Sequence, residues 1–123
     1  MLFRSAAFAA VSHLPHLLAF AYFQAIAEQP AARDYLSLAG PGFRDFTRIA
    51  AGEPAVWRDI LLANKHEVLA QSKRFRTTLD QLEALIEAGD APALEAALRP
   101  IAEGREAWSL TTPALPPGRA AGK

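Results

Sequence analysis

The sequence predicts an all-helical domain, and three observations support this fold class. No run of residues keeps the apolar–polar alternation of a strand, and no Asn-Gly or Asp-Gly pair joins two such runs. Apolar residues recur instead at spacings of three and four, as on one face of a helix. Proline and glycine separate these periodic stretches, as they do at helix ends. We therefore predict about five helices joined by short loops, two of them long.

The composition is that of one ordinary globular domain. The 123 residues are 51% hydrophobic and 21% charged, and thirteen basic residues balance thirteen acidic ones. This balance argues against a nucleic-acid partner, because nucleic-acid-binding proteins usually carry a basic excess. The chain has no cysteine, which excludes disulfides, thiolate metal sites and cysteine nucleophiles. Such a composition suits a cytoplasmic protein.

The first predicted helix runs from Ala6 to Ala27 and is apolar around most of its circumference. Its length would also fit a signal peptide or a membrane span. However, two histidines, a serine and a proline lie in its middle, and these residues are costly in lipid. We therefore predict a buried core helix and no membrane partner. Pro15 should kink the helix or open the turn that carries the histidines.

The middle of the chain is predicted to hold a loose stretch and a short helix. The loose stretch, Arg33 to Gly42, ends in a Gly-Pro-Gly turn. The short helix is expected from Phe43 to Ala51, and Gly52 ends it.

The longest predicted helix runs from Pro54 to Ala88, with a bend near Asn64. From Val68 onward its apolar positions, together with Ser72, step by four and three, which is the spacing of a heptad stripe. Leu62, Leu69 and Leu85 make the stripe wider than one neighbouring helix covers, so we predict self-association.

Gly89 and Asp90 are predicted to end the longest helix and to cap the last one, Ala91 to Trp108, in which Pro100 should form a kink. By domain, we expect a stub at residues 1–5, a helical domain at 6–110 and a disordered tail at 111–123.

The first cluster that could carry chemistry runs from Ser12 to His16, with the sequence SHLPH. His13 and His16 share a helix face, since they are three residues apart. They either cap backbone carbonyls that Pro15 frees, or form a polar patch that binds an anion or a polar ring substituent. A metal site would need more ligands than these, so no metal is predicted. Ser12 lacks the strained turn of a nucleophilic serine.

The second cluster follows the Gly-rich turn, where Arg44 and Arg48 are spaced four apart on the short helix. A guanidinium can hold a carboxylate through two parallel hydrogen bonds. The alternative is an exposed arginine that pairs with Asp45 or Glu53. Spacing alone does not decide between these interpretations.

Three segments, in this order and spacing, resemble the C-terminal domain of the prephenate dehydrogenase family: SHLPH (12–16), GFRDFTRIA (42–50) and PAVWRDILLANK (54–65). The resemblance covers about Phe8 to Trp108. It implies a helical dimerisation domain of the 6-phosphogluconate dehydrogenase C-terminal type, which follows a dinucleotide-binding domain. The family converts prephenate to 4-hydroxyphenylpyruvate by oxidative decarboxylation with NAD or NADP, on the route to tyrosine, and close relatives take arogenate.

The resemblance also implies roles for individual residues. Arg48 matches the arginine that holds a substrate carboxylate, and a fixed cation suits a dianion such as prephenate. His16 matches a residue of the same pocket, with Ser12 and His13 in supporting positions. The residues expected at the subunit boundary are Asp45, Trp57 and Gly42.

The chain departs from the family at two places, the dinucleotide-binding fingerprint and the residues before the first helix. No G-x-G-x-x-G fingerprint occurs in it, so we expect no cofactor-binding residues here. The resemblance implies that the catalytic histidine of the family lies in the dinucleotide-binding domain, so we expect no catalytic residues here either. Arg4 and Ser5 stand where the family carries His-Asp, which is why residues 1–5 are expected to be a stub. We expect a homodimeric dimerisation and substrate-binding domain, inactive alone, whose ligands are prephenate or arogenate and also tyrosine. The alternatives are a stand-alone helical interaction or ligand-sensing module that retains the pocket, and an arogenate dehydrogenase fragment.

Overall fold

The structure is a computed structural model and describes residues 2–109, which form helices and the short connections between them. The predicted all-helical class is confirmed, and no strand occurs in these residues. The tail predicted at 111–123 lies outside the described residues, and the domain boundaries stay predictions. In chain order the segments are α1 (Leu2–Phe8), a π-helix (Ala9–His13), α2 (Leu14–Ala27), α3 (Ala32–Ser37), α4 (Pro41–Thr47), a 3-10 helix (Arg48–Ala51), α5 (Pro54–Ala63), α6 (Lys65–Ala88) and α7 (Ala91–Ala107).

The first helical span begins at Leu2 rather than at Ala6, and its middle is a π-helix. The Leu14 N–H donates to the Ala9 carbonyl oxygen, five residues back, and Pro15, which has no N–H, follows directly. The opened turn that Pro15 predicts is thus present as a wider helical turn.

The same span meets the length and composition of a membrane helix: Phe3–Ala27 has 25 residues, and its most apolar window has a mean hydropathy of 1.4. Core helices of soluble proteins and signal sequences meet this criterion as well. The prediction of a core helix without a membrane therefore stays a prediction.

Two predictions for the middle of the chain are corrected. The stretch predicted to be loose holds all but the first residue of α3, and six residues are too few to show an apolar period. Helix α4 begins at Pro41 rather than Phe43, because Gly40 is extended and proline is favourable in the first turn. The end of the predicted short helix tightens into the 3-10 helix, so Arg48 does not share an α-helix with Arg44.

The bend predicted near Asn64 is a break between α5 and α6, where Asn64 adopts φ −116° and ψ 33°. The predicted caps further along are confirmed. Gly89 has a positive φ of 68°, and the Asp90 carboxylate accepts the Ala93 N–H at 3.0 Å.

The described chain divides into two units between Thr77 and Thr78, within α6. In the first unit α2 packs against α3, α4 and the 3-10 helix. The buried apolar residues of the described chain are few and mostly small, namely Ala9, Leu14, Ala19 and Val68. Large apolar side chains stay exposed, among them Phe3 (85%) and Val11 (73%). A single chain thus leaves much apolar surface in water.

Candidate functional site

Trp57, on α5, lies against both histidines of the first helical span. The imidazole of His16 stacks on the indole with 3.7 Å between ring centroids and 17° between planes. His13 meets the same indole edge-on, at 6.2 Å and 76°. All three side chains are half-buried. The structure thus brings Trp57 to the histidines within one chain, and its expected place at the subunit boundary stays a prediction.

The ring of His16 is oriented by a hydrogen bond to the backbone. Its Nδ1 lies 2.9 Å from the carbonyl oxygen of Ser12. A carbonyl oxygen can only accept, so Nδ1 carries the hydrogen. His16 therefore caps the Ser12 carbonyl, and its Nε2 is left for another partner. Pro15 removes the hydrogen bond to a carbonyl four or five residues before it, not to that of Ser12, so both interpretations of SHLPH stay predictions.

His13 is held by Asn64, at the break between α5 and α6. The Asn64 Nδ2 donates to the Ser5 carbonyl oxygen at 2.9 Å and lies 3.3 Å from Nδ1 of His13. Because the carbonyl only accepts, it fixes the orientation of the amide, so Nδ1 of His13 accepts and Nε2 carries the hydrogen. The two histidines are thus held in opposite tautomers. The sequence predicts a bend near Asn64 but not its side-chain contacts, because the hydrogen bond from Asn64 to Ser5 joins residues that are 59 apart.

Trp57 can reach its position because residue 52 is a glycine. A Cβ built at Gly52 would lie 2.9 Å from both Cδ1 and Nε1 of the indole. The backbone of Gly52, with φ −67° and ψ 161°, is open to any residue. The constraint at residue 52 is therefore steric.

We expect Gly52→Ala to destabilise the chain by about 1–3 kcal/mol, the usual cost of overpacking. The added methyl group must displace the indole from His16, so Trp57 fluorescence should change as well. Chemical denaturation followed by circular dichroism measures the loss. Gly104→Ala is the control, because open space surrounds that helical glycine; it should stabilise the chain by about 0.5–1 kcal/mol. Equal stability of Gly52→Ala and wild type would contradict the packing argument.

Arg48 is an exposed cation at the start of the 3-10 helix. Within residues 2–109 its side chain has no hydrogen-bond or ion-pair partner. Arg44 pairs instead with Asp45 at 3.3 Å, and the Glu53 carboxylate accepts the Ala55 N–H at 2.8 Å. The exposed arginine–carboxylate pair, which the sequence allows as the alternative to a ligand site, is thus formed by Arg44 and Asp45.

Aromatic contacts fix α4, and hence the start of the 3-10 helix, on α2. Tyr22 meets Phe43 and Phe46 edge-on, each at 5.3 Å between centroids, and Phe23 meets Phe43 at 5.9 Å. Thr47, buried at the end of α4, donates to the Phe43 carbonyl oxygen at 2.7 Å. These contacts place Arg48 on a segment that packs against the helix of His16.

A cavity of about 380 Å³ lies beside His13, lined by Arg4, Ser5, Phe8, His13, Ile60, Ala63 and Asn64. The other predicted substrate-binding residues, Ser12, His16 and Arg48, do not line it. Gly42 has open space around it, and Asp45 is exposed. The described residues contain no group of three or more His, Cys, Asp or Glu side chains that could hold a metal ion.

Residues 5–100 match the family model described as "Prephenate dehydrogenase, dimerization domain". The chain is 35% identical over 85 residues to the prephenate dehydrogenase of Bacillus subtilis (strain 168), a match that covers 68% of this chain and 23% of that enzyme.

Two solved structures are similar in fold and sequence. One is a prephenate dehydrogenase from A. aeolicus in complex with hydroxyphenyl propionate and NAD+, with a TM-score of 0.78 and 36% identity, covering 85% of this chain and 37% of that one. The other is a Synechocystis arogenate dehydrogenase, with a TM-score of 0.77 and 30% identity, covering 83% and 38% respectively. The chain thus spans less than half of each relative. From the family match, the sequence identity and the shared fold, the chain belongs to the prephenate dehydrogenase family and corresponds to its dimerization domain.

Proposed function

We propose that this chain is the dimerisation and substrate-binding domain of a prephenate dehydrogenase, an enzyme that oxidatively decarboxylates prephenate to 4-hydroxyphenylpyruvate with NAD(P). The observation that carries the substrate-binding part is the guanidinium of Arg48, which is exposed and, within residues 2–109, unpaired, on a segment packed against the helix of His16. A cation without an internal partner is free to bind a carboxylate bidentately.

The chemistry of the relatives' ligands supports this assignment. The A. aeolicus enzyme was solved with hydroxyphenyl propionate, which joins an aromatic ring to a carboxylate. We assign the carboxylate of such a ligand to Arg48 and His16, with Ser12 and His13 as supporting residues. The relatives are named for prephenate and for arogenate, so an arogenate dehydrogenase is the alternative parent enzyme. We place the enzyme in the cytoplasm.

The nicotinamide cofactor belongs to another domain in this proposal. A dinucleotide is held where a Gly-rich turn joins a strand to a helix, and residues 2–109 offer neither a strand nor that fingerprint. The residues of this chain therefore do not fit the cofactor, and no step of hydride transfer is assigned to them. Their part is to bind the substrate and to pair the subunits.

The proposed function predicts ligand binding without turnover. The isolated chain should bind hydroxyphenyl propionate in a calorimetric titration, because Arg48 and His16 both lie in it. It should form no NADH from prephenate and NAD+, measured by absorbance, because the residues that the structure describes offer no cofactor site. Turnover by the chain alone would contradict the assignment of catalysis to another domain. Failure to bind the propionate would contradict the substrate-binding role.

A further inference from the structure

The hydrogen bond between His16 and Ser12 limits how His16 can meet a ligand. Since Nδ1 donates to the Ser12 carbonyl oxygen at 2.9 Å, Nε2 is the ring nitrogen left for a ligand. In the neutral ring Nε2 carries a lone pair, which repels a carboxylate oxygen. In the protonated ring Nε2 carries a hydrogen and donates a charge-assisted hydrogen bond.

We infer that His16 takes up one proton when an aromatic carboxylate binds, and that Trp57 is the positioning residue that holds the ring for this contact. This inference rests on the proposed function, because it concerns the same ligand. It adds the charge state in which His16 binds and a role for Trp57. The proton adds to Nε2 from solvent, and the imidazolium is then paired with the ligand's carboxylate.

The stack on Trp57 suits an imidazole that becomes charged. The two rings are nearly parallel at 3.7 Å, so the imidazole lies over the face of the indole, the negative side of its quadrupole. A cation over such a face is attracted rather than repelled. The stack also prevents the imidazole from turning away from Ser12. An aliphatic side chain at residue 57 could offer neither the face nor the orientation.

None of the charged groups described around α2 pairs with His16, so a ligand would have to neutralise a protonated ring. Three carboxylates on nearby segments are already engaged: Asp45 with Arg44, Asp59 with Arg58, and Glu53 with the Ala55 N–H. Arg33 and Asp34 are exposed on α3, Arg48 is unpaired on the 3-10 helix, and His13 is held by Asn64. Within the described residues no carboxylate is hydrogen-bonded to either imidazole ring of this cluster. The anion that pairs with a protonated His16 must therefore be supplied by the ligand.

The tautomer can be tested first, without a ligand. Two-bond couplings between ring nitrogens and protons, measured by NMR on the full chain with ¹⁵N-labelled histidine, distinguish the two tautomers. We expect hydrogen on Nδ1 for His16 and on Nε2 for His13, and the exposed His66 provides a reference within the chain. Hydrogen on Nε2 of the neutral His16 ring would overturn the inference.

The proton uptake is tested by calorimetric titration of the full chain with hydroxyphenyl propionate from about pH 5 to 8, the range in which histidine changes charge. The ligand's carboxyl and phenol titrate outside this range. Because the bound state holds one more proton, affinity should be highest at low pH. The dissociation constant should rise as pH increases, approaching about tenfold per pH unit at the upper end.

Variants distinguish proton uptake by His16 from a purely structural role of the same side chains. His16→Gln offers a neutral amide donor that does not titrate, so its affinity should not change with pH. His66→Gln, at an exposed histidine outside the site, should keep the wild-type profile. Trp57→Phe keeps an aromatic face and the profile, and Trp57→Leu should flatten it. Binding with a flat wild-type profile overturns the inference alone, as does a wild-type profile in His16→Gln. Absence of binding at every pH overturns the proposed function and this inference together.

Discussion

Replacing Arg48 by alanine is expected to weaken the binding of hydroxyphenyl propionate by about 1.5–3 kcal/mol, the range for a hydrogen bond to a charged group. The guanidinium makes no internal ion pair in residues 2–109, so its loss should leave the fold unchanged. The effect should therefore appear in ligand affinity, as a tenfold to hundredfold larger dissociation constant in a calorimetric titration.

Arg44→Ala is the matched control for this substitution. Arg44 is the same residue type on the adjoining helical segment, and it makes an exposed ion pair with Asp45. Exposed pairs contribute little, so this variant should change affinity by less than about 0.5 kcal/mol. If Arg48→Ala bound the propionate as tightly as wild type, Arg48 would be removed from the site. If Arg44→Ala lost as much, the effect would come from general charge rather than from a specific contact.

Introducing a glutamate at Leu69 is expected to convert a homodimer of this chain into monomers. Leu69 on α6 and Leu62 on α5 are 57% and 65% exposed in the single chain, and both belong to the apolar stripe predicted to drive self-association. In a twofold dimer the substitution occurs twice in one interface. An uncompensated charge buried there costs about 3 kcal/mol or more, which corresponds to at least about a hundredfold loss of affinity.

Sedimentation equilibrium at micromolar concentration measures this change, and wild type is expected to sediment as a dimer. Thr77→Glu is the control, since it adds the same charge at an exposed position of α6. Nine residues after Val68 of the stripe, it lies roughly half a turn around the helix, on the side away from the stripe. Circular dichroism should show the same helicity in both variants. A monomeric wild type, or a dimeric Leu69→Glu, would count against a dimer through this stripe.

Local signals in the sequence predict most of the helices and their order along the chain. The caps at Gly89 and Asp90 and the break at Asn64 depend on neighbouring residues, so the sequence predicts them well. Helix α3 escaped prediction because six residues cannot display an apolar period. The 3-10 turn at Arg48 escaped it because its residues would fit an α-helix equally well.

The candidate site was predictable in residue types but not in its contacts. The histidines stand out because polar side chains interrupt an apolar stretch, and Arg48 because it follows the Gly-rich turn. Trp57 is expected at the site only from the resemblance to the family. Which side chains meet is decided by tertiary packing, and the stack of His16 on Trp57 joins two separate helices. The tautomer of His16 depends on the Ser12 carbonyl, four residues back in the same helix. The tautomer of His13 depends on Asn64, 51 residues away, and no local pattern encodes that contact.

The π-helix at Ala9–His13 sets the angular phase between the two halves of the first helical span. A π turn holds about one residue more than an α turn, so every side chain beyond it is rotated by roughly a quarter of a turn. If the same residues were wound as a regular α-helix, composition and hydropathy would be identical, yet His16 would be carried around the helix axis relative to α1 and away from Trp57. The meeting of these two rings therefore depends on how the helix before Pro15 is wound as much as on which residues it contains.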